Sequence, residues 1–311
     1  MPDLVVQTDR LTHRYGQRIA LHELSLTVAA GEIVALLGPN GSGKTTLFRI
    51  LSTLIPPEDG RAEILGLDLS DAAKREQVRR SLGVVFQNPS LDKELSAAEN
   101  LKYHGHLYGL SGGELRARVD DLLRRVELFD RKDERVKTFS GGMRRRVEIA
   151  KGLMNHPRLL LLDEPSTGLD PIARAQVWRY LDEVRKADGV TVLLTTHLMD
   201  EADRCDRVVI LDQGKLVAEG TPSALKERVG GDVITVMTRD ADAVRRLLNE
   251  KFSMDADAGD GSVVRFERPR GHEFVPALIE ALPGLVESVS VGKPTLEDVF
   301  INVTGHRFRE D

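Results

Sequence analysis

The chain has 311 residues, 41% hydrophobic and 30% charged, with a formal net charge of −5 and a pI near 6.0. That length suggests roughly two domains, the composition excludes disorder, and the acidic balance argues against a dedicated nucleic-acid binder. A single cysteine, Cys205, excludes an intrachain disulfide or a cysteine-cluster metal site, and neither a signal peptide nor an apolar run approaching the roughly 18 residues of a bilayer span is visible.

Leu4 to Ala30 alternates apolar and polar residues around Tyr15-Gly16-Gln17 and reads as antiparallel strands. An apolar strand, Ile33 to Leu37, leads through a glycine-rich loop into a helix from about Thr45 to Leu54, which Pro56-Pro57 is expected to stop. A hairpin-like patch from Gly60 to Leu69 precedes a charged helix near Asp71 to Leu82 and a strand, Gly83 to Phe86. From Asn88 to about Lys137 the pattern is helical, with Leu115, Val119, Leu122, Leu123 and Val126 at three- and four-residue steps. Strands return at Leu159 to Leu162, Val190 to Thr195 and Val208 to Asp212, with helical patterns between them. Short apolar strands alternating with helices imply a parallel sheet covered on both faces. Past Gly230-Gly231 the pattern restarts as strand, helix, strand, helix, strand, with a loop from Asp255 to Gly261.

Gly38-Pro39-Asn40-Gly41-Ser42-Gly43-Lys44-Thr45, followed by Thr46, matches G-x-x-x-x-G-K-[ST] between a strand and a helix. The glycines let backbone N–H groups wrap an oligophosphate, and the helix N-terminus adds partial positive charge. Lys44 can reach the β- and γ-phosphates, and the Thr45 hydroxyl can coordinate Mg²⁺. Asp163 and Glu164 end an apolar strand, at the edge where open α/β sheets bind ligands. The first carboxylate can hold Mg²⁺; the second can orient and deprotonate a water. Two Ser-Gly-Gly turns compete for a second phosphate-facing role, Ser111 in LSGGE and Ser140 in FSGGM. Ser111 with Glu114 forms S-x-x-E, which reads as a capping box.

Gln87 at a strand end, Ser140-Gly141-Gly142, Pro165 to Asp170 after the acidic pair, and His197 complete an order and spacing that resemble the ATP-binding-cassette ATPases from Tyr15 to roughly Gly220. The resemblance implies an α/β P-loop fold with a mostly parallel sheet core, an antiparallel β subdomain and a helical insert over about 88–155. It implies ATP and Mg²⁺ as cofactors, with Tyr15 stacking on adenine and Gln87 sensing metal and water. Glu164 would be the general base, His197 would contact the γ-phosphate, and Asp170 would lie at a dimer seam. Ser140, Gly141 and Gly142 would act in trans on ATP held by a second copy, or by a similar cassette. Signatures in the family precede the acidic strand by one helix and a turn, which selects Ser140 and leaves Ser111 a helix cap. Arg144 to Arg146 are expected on a solvated or interface face.

Pro294 to Phe300, with Thr304-Gly305, looks like the C-terminal element of daunorubicin-resistance and ABC-2 exporter ATPases. That implies a nucleotide-binding domain over 1–230 and a small C-terminal α/β domain over 231–311. It also implies a separate membrane permease, peripheral location on the cytoplasmic face, and no nucleic-acid partner. Leu296, Val299 and Phe300 would be buried on the small domain. The alternative is a soluble cassette ATPase that remodels nucleic acid, ribosomes or protein complexes. An inactive regulatory nucleotide binder is disfavoured by Glu164 and His197 together.

Overall fold

The computed structural model describes residues 3–254, 256–258, 262–306 and 308. They divide into two compact units, one ending at Glu219 and one running from Gly220 to Phe308.

In the first unit, β1 (Leu4–Tyr15) and β2 (Arg18–Ala29) pair antiparallel. A six-stranded sheet begins with β3 (Ile33–Leu37), all five residues of which are buried. β4 (Asp59–Ile64) pairs with β1, and β5 (Leu67–Asp68) closes a four-stranded sheet in the order β2-β1-β4-β5. The larger sheet adds β6 (Leu82–Val85), β7 (Leu159–Asp163), β8 (Thr191–Thr196), β9 (Arg207–Asp212) and β10 (Lys215–Gly220), in the order β10-β9-β3-β8-β7-β6. β3, β6, β7, β8 and β9 pair in parallel. The Leu-only run of β7 is what a strand buried on both faces requires.

Helix α1 (Lys44–Leu51) follows the glycine-rich loop and buries Leu47, Phe48 and Leu51 in one cluster with Leu11 and Leu24 of the antiparallel sheet and Leu161 of β7. This shared core joins the two sheets into one compact unit. α1 ends at Ser52, before the prolines expected to stop it, and Thr53 already turns the chain at φ 62. Asp71 caps α2 (Ala72–Arg80). The insert holds α3 (Ala97–Leu107), α4 (Gly112–Arg125) and α5 (Gly141–Gly152), which pack on one another. α6 (Pro171–Asp188) and the short α7 (Met199–Ala202) complete the unit. Residues 88–96 and the stretch after α4 are loops and 3-10 turns, so the insert is less continuous than its periodicity predicts.

The second unit opens with α8 (Pro222–Lys226), capped by Thr221. It continues through β11 (Asp232–Thr238), α9 (Ala241–Phe252), β12 (Asp257–Ala258) and β13 (Val263–Arg268) to α10 (Gly271–Ala281), β14 (Val286–Gly292) and α11 (Leu296–Thr304). Its sheet runs β12-β13-β11-β14 with antiparallel pairing throughout. Ile234, Val236, Val244, Leu248, Phe266, Phe274 and Leu278 form its core. Leu296, Val299 and Phe300 are buried as expected. The boundary expected at 230/231 falls inside this unit, because α8 packs on α11. Gly231 is there for close approach, since a methyl on it would overlap the Arg268 backbone. Residues 255 and 259–261 of the expected loop lie outside the described residues. Among the described residues no helix is long and apolar enough to cross a membrane.

Gly83 in β6 lies against the end of α5, where a methyl would overlap the Gly152 carbonyl oxygen. Gly83→Ala is therefore expected to lose about 1–3 kcal/mol by overpacking. Gly113→Ala, in α4 with open space where the added methyl would sit, should gain up to about 1 kcal/mol of helix propensity. Urea midpoints of the two variants against the parent check both signs.

Candidate functional site

Parallel pairing aligns four strand ends on one sheet edge. Leu37 of β3 sits opposite Thr196 of β8, Thr195 of β8 opposite Asp163 of β7, and Leu162 of β7 opposite Val85 of β6. The residues that follow those strands are the glycine-rich loop, His197, Glu164 and Gln87. Residues separated by up to about 160 positions in sequence thus converge without any long loop.

The glycine-rich loop is a tight cradle. A methyl on Gly38 would overlap the Leu211 carbonyl, and one on Gly43, at φ 106, would lie 2.8 Å from the Ala20 carbonyl oxygen. Lys44 is 5% exposed, and its Nζ donates to the carbonyls of Gly38 (2.6 Å) and Pro39 (2.9 Å). Burial lowers its pKa, while Glu164 and Asp163 oppose that shift. Ser42 is buried and its hydroxyl has no partner. Thr45 is exposed and Thr46 buried on the first turn of α1. An orphaned hydroxyl, a retracted ammonium and a glycine cradle at a helix N-terminus fit an oligophosphate.

Asp163 is partly buried, and burial raises its pKa against the hydrogen bond it accepts from the Thr195 hydroxyl at 2.5 Å. Glu164 takes the left-handed conformation at φ 47, which costs a non-glycine residue about 1–3 kcal/mol. Its backbone N–H donates to Thr195, and its carboxylate is held on three sides. Gln87 Nε2 donates to Oε2 at 3.0 Å, the Thr167 hydroxyl donates to the same oxygen at 3.1 Å, and His197 Nδ1 lies 3.2 Å from Oε1. A cleft of about 410 Å³ beside them is lined by Gln87, Gly141, Arg144, Glu164, Thr167 and Leu169.

Tyr15 ends β1, 45% exposed, with its ring edge-on to His13. Asp170 caps α6 by accepting from the Ala173 N–H at 2.9 Å. Ser140 is the N-cap of α5 and accepts from the Met143 N–H at 3.2 Å. Gly142 abuts Ala173 of α6 so closely that a methyl would sit 2.6 Å from its Cβ. The single chain therefore brings Lys44, Asp163, Glu164, Gln87 and His197 together, and leaves Tyr15, Ser140, Gly141 and Asp170 with surfaces facing outward.

Two expectations are corrected. Ser111 occupies the N-cap position of α4 but makes no cap hydrogen bond, so the S-x-x-E box does not form. Gly112, at φ 59, turns the chain between the hydroxyl and the first helical amides. The arginine run is not a solvated face either. A helix advances about 100° per residue, so the three side chains diverge. Arg145 is buried among backbone carbonyls, Arg146 donates to the Val126 carbonyl at 2.7 Å, and Arg144 lines the cleft. Arg145, Thr167 and Thr195 were missed from sequence. The readable signal for Arg145 was its place on the face that buries Gly142, Ile149 and Gly152.

In the nucleotide-free protein, Ser140→Ala is expected to lose about 0.5–2 kcal/mol of cap stability, and Ser111→Ala to stay within about 0.5 kcal/mol of the parent. Denaturant titrations of the two variants decide between the serines.

Comparison with known proteins agrees with this geometry. Residues 21–167 match the ABC transporter family, and residues 220–304 match the C-terminal domain of the ATP-binding protein DrrA1-3-like family. The chain is 41% identical to the daunorubicin resistance ATP-binding protein DrrA3 of Streptomyces coeruleorubidus, over 98% of this chain and 97% of that protein. It is 37% identical to the Nod factor export ATP-binding protein I of Rhizobium meliloti (strain 1021), over 99% and 90%. Among solved structures it is similar to the ATP-binding cassette MJ0796 in a dimeric post-hydrolysis state bound to ADP and Pi, with a TM-score of 0.63 and 30% identity over 70% of this chain and 98% of that one. It is also similar to cbiO1 from Clostridium perfringens, part of the ABC transporter complex cbiONQ, with a TM-score of 0.68 and 28% identity over 81% and 96%. The chain belongs to the ATP-binding-cassette transporter family, as an ATP-binding, ATP-hydrolysing subunit of its daunorubicin-resistance branch.

Proposed function

We propose that this chain hydrolyses Mg²⁺-ATP to power a separate export permease, closing head to tail on a second cassette when ATP is bound. The observation that carries this reading is the Gln87–Glu164–His197 cluster on the same sheet edge as Lys44.

Amides of Gly41, Gly43 and Lys44 wrap the phosphates, and Lys44 Nζ leaves the Gly38 and Pro39 carbonyls for the β- and γ-oxygens. Tyr15, exposed at the end of β1, stacks on adenine. Thr45, Asp163 and Gln87 would hold Mg²⁺, which neutralises charge on the transferred phosphoryl group when bound. Glu164 takes the proton of the attacking water at Oε1 or Oε2, and His197 fixes the carboxylate and reaches the γ-phosphate. Glu164 Oε2 accepts hydrogen bonds from both Gln87 and Thr167. Ser140 and the Gly141 and Gly142 amides meet ATP held by the partner cassette, and Asp170 lies at the seam between the two.

The exposed apolar residues Tyr103 and Leu107, four apart on α3, support contact between the insert and a permease. Such a contact would hold the protein peripherally on the cytoplasmic face of the membrane. The full-length relatives named for drug resistance and Nod factor export support an export role, and no observation favours a soluble remodelling ATPase.

Glu164→Gln should bind ATP, turn over slowly and accumulate as a dimer by size exclusion; parental turnover in this variant removes Glu164 as base. Ser140→Arg should abolish cooperative hydrolysis with ATP affinity intact, whereas Ser111→Arg should leave it. If Ser111→Arg blocks dimer closure instead, the signature has been misassigned. A chain ending at Glu219 should keep ATP affinity in a titration with a fluorescent analogue; lost binding would mean that the second unit completes the site.

A further inference from the structure

We propose that Arg145 is a positioning residue for hydrolysis, locking the Glu164 backbone and the Gln87 loop of its own chain to the helix that carries Ser140. The inference rests on the reading of Glu164 as the base.

Arg145 lies on the inward face of α5, 8% exposed. Its guanidinium donates four hydrogen bonds, all to backbone carbonyls of two separate segments. Nη1 reaches the Phe86 carbonyl at 2.7 Å, and Nε reaches Pro165 at 2.7 Å. Nη2 reaches Asp163 at 2.8 Å and Glu164 at 3.0 Å. A planar fork of five N–H donors can do this; an ammonium on a flexible stem cannot span both segments. Burial lowers the Arg145 pKa, opposed first by Glu148 and then by Asp163, Glu201 and Glu164.

Glu164 is the residue that needs such a clamp. At φ 47 it persists only where surrounding bonds over-determine it. Thr195 holds its N–H side and Arg145 its carbonyl side. One helical turn later, Glu148 is 2% exposed and accepts from both the N–H (2.5 Å) and the hydroxyl (2.9 Å) of Ser90, just past Gln87. Lys151 also donates to Ser90. α5 thus grips both ends of the 86–90 segment through Phe86 and Ser90. Its first turn presents Ser140 outward while its second turn sets the angle of Glu164. Movement of Ser140 on the partner's nucleotide would carry the chain's own Gln87 and Glu164 with it.

The test is a double-mutant cycle on the full chain, with ATP turnover, fluorescent-ATP affinity and size exclusion as readouts. Arg145→Lys keeps the charge but loses the fork, and Arg145→Gln is measured beside it. Each should lower kcat at least about tenfold, as a misplaced reacting group does, with the ATP dissociation constant unchanged within about twofold. In the Glu164→Gln background the same substitutions should change residual turnover by less than about twofold, because both act through one group. ATP-driven dimerisation in that background should persist. Multiplicative losses in the cycle overturn the proposal, and so does a loss of dimerisation, which would make Arg145 a support for Ser140. A variant that no longer binds ATP overturns it too, by making Arg145 a prop for the whole fold. Parental turnover in Glu164→Gln alone sinks the base assignment instead, which keeps the two failures apart.

Discussion

Parallel pairing of β3, β8, β7 and β6 is the constraint on which the rest of the first unit depends. In a parallel sheet every strand ends on the same edge, so the residue after each strand is delivered to a common line. Thr195 then ties two of those ends together. It accepts from the Glu164 N–H and donates to the Asp163 carboxylate. Slipping β7 by one residue against β8 would send Asp163 to the other face of the sheet and separate it from Thr195. The buried core shared by both sheets keeps that register from drifting.

The site is locally uncomfortable. Lys44 is buried against carbonyls, Asp163 is buried enough to raise its pKa, Ser42 lacks a partner, and Glu164 is in a left-handed conformation. Such departures occur singly elsewhere in the fold, as at Thr53 and Glu127, but here four of them meet at one sheet edge, as is expected where a ligand completes the structure. Phosphate oxygens would satisfy Lys44 and Ser42 together, and a cation would offset the charge on Asp163. The strain at Glu164 has a different remedy, because Thr195 and Arg145 bind its backbone from opposite sides.

The helical insert is coupled to this edge through α5 rather than through the loops that enter it. Arg145 and Glu148 face inward one turn apart and engage the 86–90 segment at its two ends. The N-terminus of α5 is in this way coupled to the sheet edge of its own chain. The second unit is built differently. Its antiparallel sheet has a core of its own, and its tail helix α11 is closed by a Thr295–Asp298 capping box.

Local pattern alone determined much of this protein. The glycine-rich loop, the leucine strand with its acidic pair, and the tail motif each follow from short-range rules: a helix N-terminus with glycines, an apolar run at strand length, a cap before an amphipathic turn. Those signals placed Lys44, Asp163 and Glu164 within a residue or two of their observed elements, and the resemblance to the cassette ATPases added Gln87 and His197. Tertiary structure decided what local rules do not encode. The LSGGE serine has the spelling of a cap and no cap bond, because a left-handed Gly112 redirects the chain. Gly230-Gly231 reads as a domain boundary, yet α8 packs with the residues beyond it. Arg145 sits in a run that reads as a solvated or interface face. Its burial is set by helix rotation against two segments, one some 60 and the other some 20 residues distant, whose carbonyls no sequence period could place beside it.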